Sequence, residues 1–175
     1  MGRHIASSVI MMGKLQRKLH GSNVKVIHGL ENTMEQLAKE SNKFKDEVRE
    51  FLDKLVSHYV FDEGNLVVAH AGLKEKFHGR ESGKIRDLAM YGETTGQLDA
   101  YGLPVRLDWS KDYKGTALVV YGHTPQANVR VVNNTVNIDT GCIFGGYLTA
   151  FRYPEKEIVQ VKAKQTYYES PRPFL

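Results

Sequence analysis

The sequence predicts an α/β fold of the α+β kind, and three observations carry that prediction. Residues 32–57 repeat apolar side chains at helical spacing, with a charged face between them. From residue 59 onward the pattern changes to short apolar runs separated by turn-forming residues, as strands require. Two of those runs end in a histidine beside a glycine, in VVAHAG at residues 67–72 and VVYGHTP at residues 119–125. In open α/β sheets, ligands are met at the carboxyl ends of strands, where these imidazoles would stand.

The bulk properties set the frame. At 175 residues the chain is long enough for one domain with a proper core. A formal charge of +4 suits an anionic substrate without demanding one. Cys142 is the only cysteine, which excludes an internal disulfide and makes a reducing, cytoplasmic location the expectation. It reads as a small buried apolar side chain. No run reaches the ~18–20 apolar residues of a membrane span. Arg3 precedes a few small and apolar residues, but the run is too short for a signal peptide and no cleavage site follows before Lys14.

Taken in order, residues 1–13 form a lead-in with no clear pattern, and residues 14–20 are basic and helix-compatible. Gly21, Ser22 and Asn23 make a turn before a short alternating strand, Val24-Lys25-Val26-Ile27. The helical region follows. Asn32 with Glu35, or Thr33 with Gln36, fits a capping box. Met34, Leu37 and Ala38 share a face, as do Phe44, Val48, Phe51, Leu52, Leu55 and Val56. The polar stretch 39–43 between them predicts two helices or one bent one. Strands at 59–61 and 66–69 flank Asp62-Glu63-Gly64-Asn65, a hairpin turn. Residues 74–115 are irregular with scattered glycines; a loop of that length is expected to be functional or to carry a short helix around 85–90. Further strands are expected at 117–121, 129–132, 135–138, 148–153 and 157–162, with Asn133-Asn134 turning between the second and third of these. Residues 167–175 read as a tail or linker, leaving 14–166 as the body of the domain.

The chemistry follows from the strand ends. Hydrolysis of a phosphate ester needs a nucleophilic oxygen at neutral pH and neutralisation of the phosphoryl charge, and paired divalent metals supply both. Their ligands are neutral imidazoles, carboxylates and amide oxygens. His70 and His123 occupy matching contexts, and Asp139 ends a third run in NIDTG at 137–141. A lone histidine at a strand end is ordinarily structural; two in matching places, with a carboxylate following, point to a metal-dependent phosphoester hydrolase.

The strings NVKVIHGLENT (23–33), VVAHAGL (67–73), YGETTG (91–96), GLPVR (102–106), VVYGHTP (119–125), NNTVNIDTGC (133–142) and FRYPE (151–155), together with Trp109, stand in one order. In that order they resemble the calcineurin-like metallophosphoesterase superfamily. The resemblance is to the phosphatase module of bacterial polynucleotide kinase-phosphatase and to bacterial symmetric diadenosine tetraphosphate hydrolases. It implies a β-sandwich flanked by helices and a two-metal site, with manganese as the expected ion. His70 would ligate one metal and His123 the other. Asp139 would be the catalytic carboxylate at the floor of the site, close to the metals or orienting a ligand, with Tyr121 and Thr124 beside a ligand. Arg80, Arg86 and Arg106, in the loop 79–106, would bind substrate phosphate at the mouth of the cleft, since a guanidinium grips phosphate bidentately. Paired surface arginines are the equal alternative for each.

The family's Asp-x-His, Gly-Asp…Asp-Arg-Gly and Gly-Asn-His motifs have no counterpart here. The chain is therefore expected to correspond to the C-terminal half of the domain, a partial sandwich prone to self-association or awaiting its N-terminal half. Three functions compete: a phosphatase of phosphorylated nucleic-acid ends, a diadenosine tetraphosphate hydrolase acting on a nucleotide, and an inactive remnant or partner-binding module.

Overall fold

A computed structural model describes residues 5–25 and 30–170 of the chain. They fall into two compact units, one ending at Val56 and one beginning at Ser57.

The first unit is helical. It contains α1 (Ile5–Leu19), α2 (Leu30–Ala38) and α3 (Asn42–Asp53). Helix α1 takes in much of the stretch that carries no amphipathic pattern; alanine, leucine, methionine, lysine and glutamine still favour a helix there without one. The polar stretch after Ala38 does separate two helices. Ser41 caps α3, its hydroxyl accepting from Phe44 N at 3.1 Å. Asn32 and Thr33 lie inside α2 rather than at its cap, because the helix already begins at Leu30. Leu30, Leu37 and Leu52 are buried, whereas Phe44 and Phe51 stay exposed. Asp53 receives the Gln16 amide at 2.6 Å and meets His20 Nε2 at 2.9 Å, tying α3 to α1. Those two partners, Gln16 foremost, hold its carboxyl below the usual range. Ser41→Ala is expected to cost the helical unit about 1 kcal/mol. Helical circular dichroism reads this as a lower melting midpoint, and an unchanged midpoint would count against the cap. Of the expected strand at 24–27, Val24 and Lys25 are irregular, and Val26 and Ile27 lie outside the described residues.

The second unit is built on a mixed five-stranded sheet. Its strands are β1 (His58–Phe61), β2 (Leu66–Ala69), β5 (Leu118–Tyr121), β6 (Arg130–Val132) and β7 (Thr135–Asn137), in spatial order β1-β2-β5-β7-β6. The central β2, β5 and β7 are parallel, and the edge strands join antiparallel through their hairpins. Parallel strands are covered on both faces, which is why LVVA and LVVY are unbroken apolar runs rather than alternating ones. Val67 and Val119 are 0% exposed and pack with Tyr113, Ala117 and Trp109. Ala69 joins Leu73, Ile85 and Ala89 in a second cluster. Both predicted turns form. Asp62 and Glu63 take left-handed φ in the first, and Asn133 does so in the second, with Val132 opposite Thr135.

The irregular stretch 74–115 holds more order than its composition suggests. Helix α4 (Gly83–Tyr91) is capped by Ser82, whose hydroxyl accepts from Ile85 N at 3.2 Å. A two-stranded ribbon follows, β3 (Thr94–Leu98) with β4 (Pro104–Arg106). Every residue of β3 is exposed, so the ribbon carries no hydrophobic alternation for a sequence reading to find. A second ribbon pairs β8 (Tyr147–Arg152) with β9 (Glu157–Lys162), with Leu148 and Val161 exposed. The expected tail begins attached: Tyr167 and Tyr168 both donate their backbone N–H to Ile143 O, at 2.9 and 3.0 Å. Residues 171–175 lie outside the described residues. The described residues of this unit form one mixed sheet and two separate ribbons.

Candidate functional site

The parallel register brings three strand ends to one level. Val68 pairs with Val120, and Val120 with Val136. Beyond the strands the ladder continues, with Gly122 N donating to His70 O and Ile138 N to Tyr121 O, each at 2.9 Å. His70, His123 and Asp139 therefore emerge side by side from segments far apart in sequence.

The two imidazoles touch. His70 Nε2 lies 2.9 Å from His123 Nδ1, and the rings meet edge to face with centroids 4.7 Å apart. Burial is the main force lowering both pKa values, and the positive charge of Arg106 adds to it. His70 is shifted downward, and His123, also facing His70, is pushed down to about 3. Both rings are thus neutral at physiological pH, the form that binds metal. His123 Nε2 is buried without a hydrogen-bond partner among the described residues. Such an atom leaves a desolvation cost uncompensated unless something else meets it.

His123 sits in an unusual backbone. Its φ is +72°, and Thr124 N donates to Gly122 O at 2.9 Å. Together these make a γ-turn of the rare positive-φ form, with the imidazole at its apex. Non-glycine residues hold such conformations at a cost of order 1–3 kcal/mol, and they cluster at functional sites.

Asp139 lies beneath that turn. Its carboxylate accepts the backbone N–H of Gly141 at 3.2 Å and feels that of His123. Burial raises its pKa, and the two N–H groups oppose the rise. Asn137 supports the same loop, donating from Nδ2 to Thr124 O at 3.0 Å and accepting from Asp139 N at 2.9 Å. The sequence reading did not single out Asn137.

The three arginines part company. Arg106, on β4, donates to Tyr91 O and is the cation whose field reaches both imidazoles. Arg80 is exposed and donates to Lys76 O at 3.3 Å, while Arg86 is half-buried on α4. A small apolar cleft is lined by Leu73, Phe77, Leu88 and Trp109 and bounded by the Lys74–Glu93 ion pair at 2.5 Å.

The 2.9 Å between His70 Nε2 and His123 Nδ1 is the distance of a hydrogen bond between the two rings. Neutral imidazoles are donors that a divalent ion accepts, and these two nitrogens would hold one in exchange for that mutual bond. Among the described residues no group of three or more His, Cys, Asp or Glu side chains gathers to complete a coordination shell. Nor is any described helix long and apolar enough to cross a membrane.

No protein-family model matches the chain. Its curated relatives are informative. The chain is 46% identical over 166 residues to the bis(5'-nucleosyl)-tetraphosphatase PrpE (asymmetrical) of Anoxybacillus flavithermus, covering 92% of this chain and 68% of that protein. To the protein of the same name from a Geobacillus species it is 43% identical over 158 residues, covering 88% and 64%. To that of Bacillus thuringiensis it is 47% identical over 152 residues, covering 85% and 62%. The chain thus spans about two thirds of the length of these relatives. Among solved structures, that of a candidate diadenosine tetraphosphatase superposes with a TM-score of 0.56 at 17% identity, over 87% of this chain and 65% of its own. At that identity the likeness is one of fold.

Proposed function

The chain belongs to the family of the bis(5'-nucleosyl)-tetraphosphatase PrpE proteins, and from that premise we propose that it carries the imidazole side of a calcineurin-like metallophosphoesterase site hydrolysing dinucleoside tetraphosphates. The observation that carries the proposal is the contact of two neutral, half-buried imidazoles at neighbouring strand ends. The relatives support phosphoester hydrolysis as the chemistry. Their name favours a dinucleotide substrate over phosphorylated nucleic-acid ends, and asymmetric over symmetric cleavage.

His70 and His123 would hold one divalent ion between them, manganese by expectation, rather than one ion each. When bound, such an ion acidifies water and neutralises phosphoryl charge. The protein's own part is to keep both rings deprotonated by burial and to hold them in contact. Arg106, on the strand beside them, is placed to bind a phosphate of the polyphosphate chain; Arg80 and Arg86 have less claim, since neither acts on the pair. With two imidazoles as its donors, the ion is expected to bind weakly.

Manganese calorimetry followed by chromatography of diadenosine tetraphosphate digests tests the reading. One bound ion and release of AMP with ATP is the expected result. Two equal ADP products would make the cleavage symmetric. Phosphate released from oligonucleotide ends, with the dinucleotide untouched, would restore the nucleic-acid reading. Metal binding without turnover would leave a binding module.

A further inference from the structure

Two core clusters of the sheet unit leave apolar side chains uncovered along one seam. Trp109 packs on the Val67–Val119 cluster, while Phe77 and Leu88 pack on the cluster of Ala69, Leu73, Ile85 and Ala89. All three stay half-buried, and all three line the small cleft. Its remaining lining comes from residues 71–74 and from Gly92 and Glu93. Both of these segments lead toward the imidazoles. Ala71 follows His70 directly, and a Cβ on Gly92 would lie 3.7 Å from Ala71 Cβ and 3.7 Å from Arg106 Nη1. The guanidinium whose charge reaches both rings therefore borders the cleft. Polar groups complete it: Lys74 Nζ meets Glu93 Oε2 at 2.5 Å, with both side chains partly exposed. A carboxylate has about four acceptor sites and an ammonium three donors, so each keeps capacity for a ligand beyond their mutual bond.

We infer that this cleft holds one base of the nucleotide substrate against Trp109 and Phe77, with the adjoining phosphates on Arg106. The inference rests on the reading that the chain acts on a dinucleotide, and it adds where a base is held. An apolar cleft with aromatic walls and a few polar groups is the ordinary form of a small-molecule site. Aromatic side chains accept any base, because every base has a π-face, and the Lys74–Glu93 pair offers a donor and an acceptor to its edge. The cleft encloses about 250 Å³ with its open mouth included, below the ~300–1,000 Å³ of sites that take whole ligands. It therefore takes one ring system, not a dinucleotide. Holding one base alone sets a symmetric dinucleotide off-centre, which suits asymmetric cleavage.

Trp109 is the only tryptophan in the chain, so its fluorescence reports on the cleft without relying on turnover. Titration with AMP and with ribose 5-phosphate, which lacks the base, separates the two halves of the ligand. AMP is expected to quench Trp109 saturably and to bind about tenfold tighter or more than ribose 5-phosphate, which should leave the emission unchanged. Phe77→Ala should weaken AMP about 5–100-fold, the range expected for loss of one stacked aromatic. Its affinity for ribose 5-phosphate, read by calorimetry, should stay as in the wild type. Phe77 also packs on the core, so Phe77→Leu keeps the test alive if the alanine variant does not fold: it retains the apolar packing, loses the π-face and should still weaken AMP severalfold. Equal affinity for AMP and ribose 5-phosphate, no binding of either, or AMP quenching that the folded Phe77 variants leave intact would each overturn the inference. Hydrolysis of diadenosine tetraphosphate by a chain that binds AMP no better than ribose 5-phosphate would strike down the base site and leave the proposed function standing. Base-dependent binding of AMP without turnover would sustain the base site and sink the hydrolase reading.

Discussion

Replacing His123 by glycine is expected to abolish manganese binding while leaving the protein at least as stable. The two effects have separate causes. Binding is lost because one of the two contacting imidazoles is gone, and His70 by itself is a weak monodentate site. Stability is preserved because the native residue carries two local costs. Its backbone occupies φ +72°, which glycine adopts freely. Its Nε2 is buried without a partner, a penalty of about 1–3 kcal/mol that disappears with the ring. Against these stand the lost packing of the ring and the greater chain entropy of glycine in the unfolded state, about 0.4–1 kcal/mol. The net expectation is no loss, and a gain of up to about 1 kcal/mol. His70→Ala should lose the ion equally but without the stability gain, since no positive φ is relieved there. Calorimetric titration with manganese and urea unfolding check both halves. A His123→Gly protein that still binds the ion, or that is clearly less stable than wild type, would defeat the account of a strained, metal-facing turn.

The second large effect is structural and lies next to the same site. Gly72→Ala is expected to destabilise the sheet unit by about 3 kcal/mol, combining overpacking with left-handed strain. Gly72 has φ +85°, and a Cβ there would lie 2.8 Å from Trp109 Nε1 and closer still to the ring carbons. Trp109 cannot yield easily. It meets Tyr113 at 5.8 Å and Tyr121 at 5.0 Å between centroids, and it packs on the Val67–Val119 cluster. A loss of that size lowers the melting midpoint by roughly 10 °C or more in a unit of this length. Pairing Gly72→Ala with Trp109→Leu should recover the steric part and leave the backbone part, a positive coupling between touching residues. Additive losses in the double variant would mean that the tryptophan is not what the methyl group meets.

The elements that could be read from the chain are those whose burial is simple. The runs at 66–69 and 118–121 announce themselves because the central strands are covered on both faces. The hairpin turns at 62–65 and 133–134 are legible because left-handed backbone selects asparagine, aspartate and glycine. The break between α2 and α3 is legible in its polar residues. The β3–β4 ribbon is not, since neither of its faces is buried and no periodic pattern is needed to form it. The capping-box pattern at residues 32–36 falls inside α2, because such a pattern describes local hydrogen bonding only and the helix already includes Leu30.

The site divides in the same way. Sequence alone determined that His70 and His123 stand at strand ends and that a carboxylate ends a third run, because residue order along a strand fixes what lies at its tip. Contact between two rings 53 residues apart was decided by parallel pairing of β2 with β5 and β5 with β7, a register no local pattern encodes. Tertiary structure also set Arg106, alone of the three arginines named, within electrostatic reach of both imidazoles and turned the Asp139 carboxylate toward the Gly141 N–H. Charge and hydrogen-bonding capacity belong to the residue and can be read from the chain; distance and direction arise only when separate strands are brought side by side.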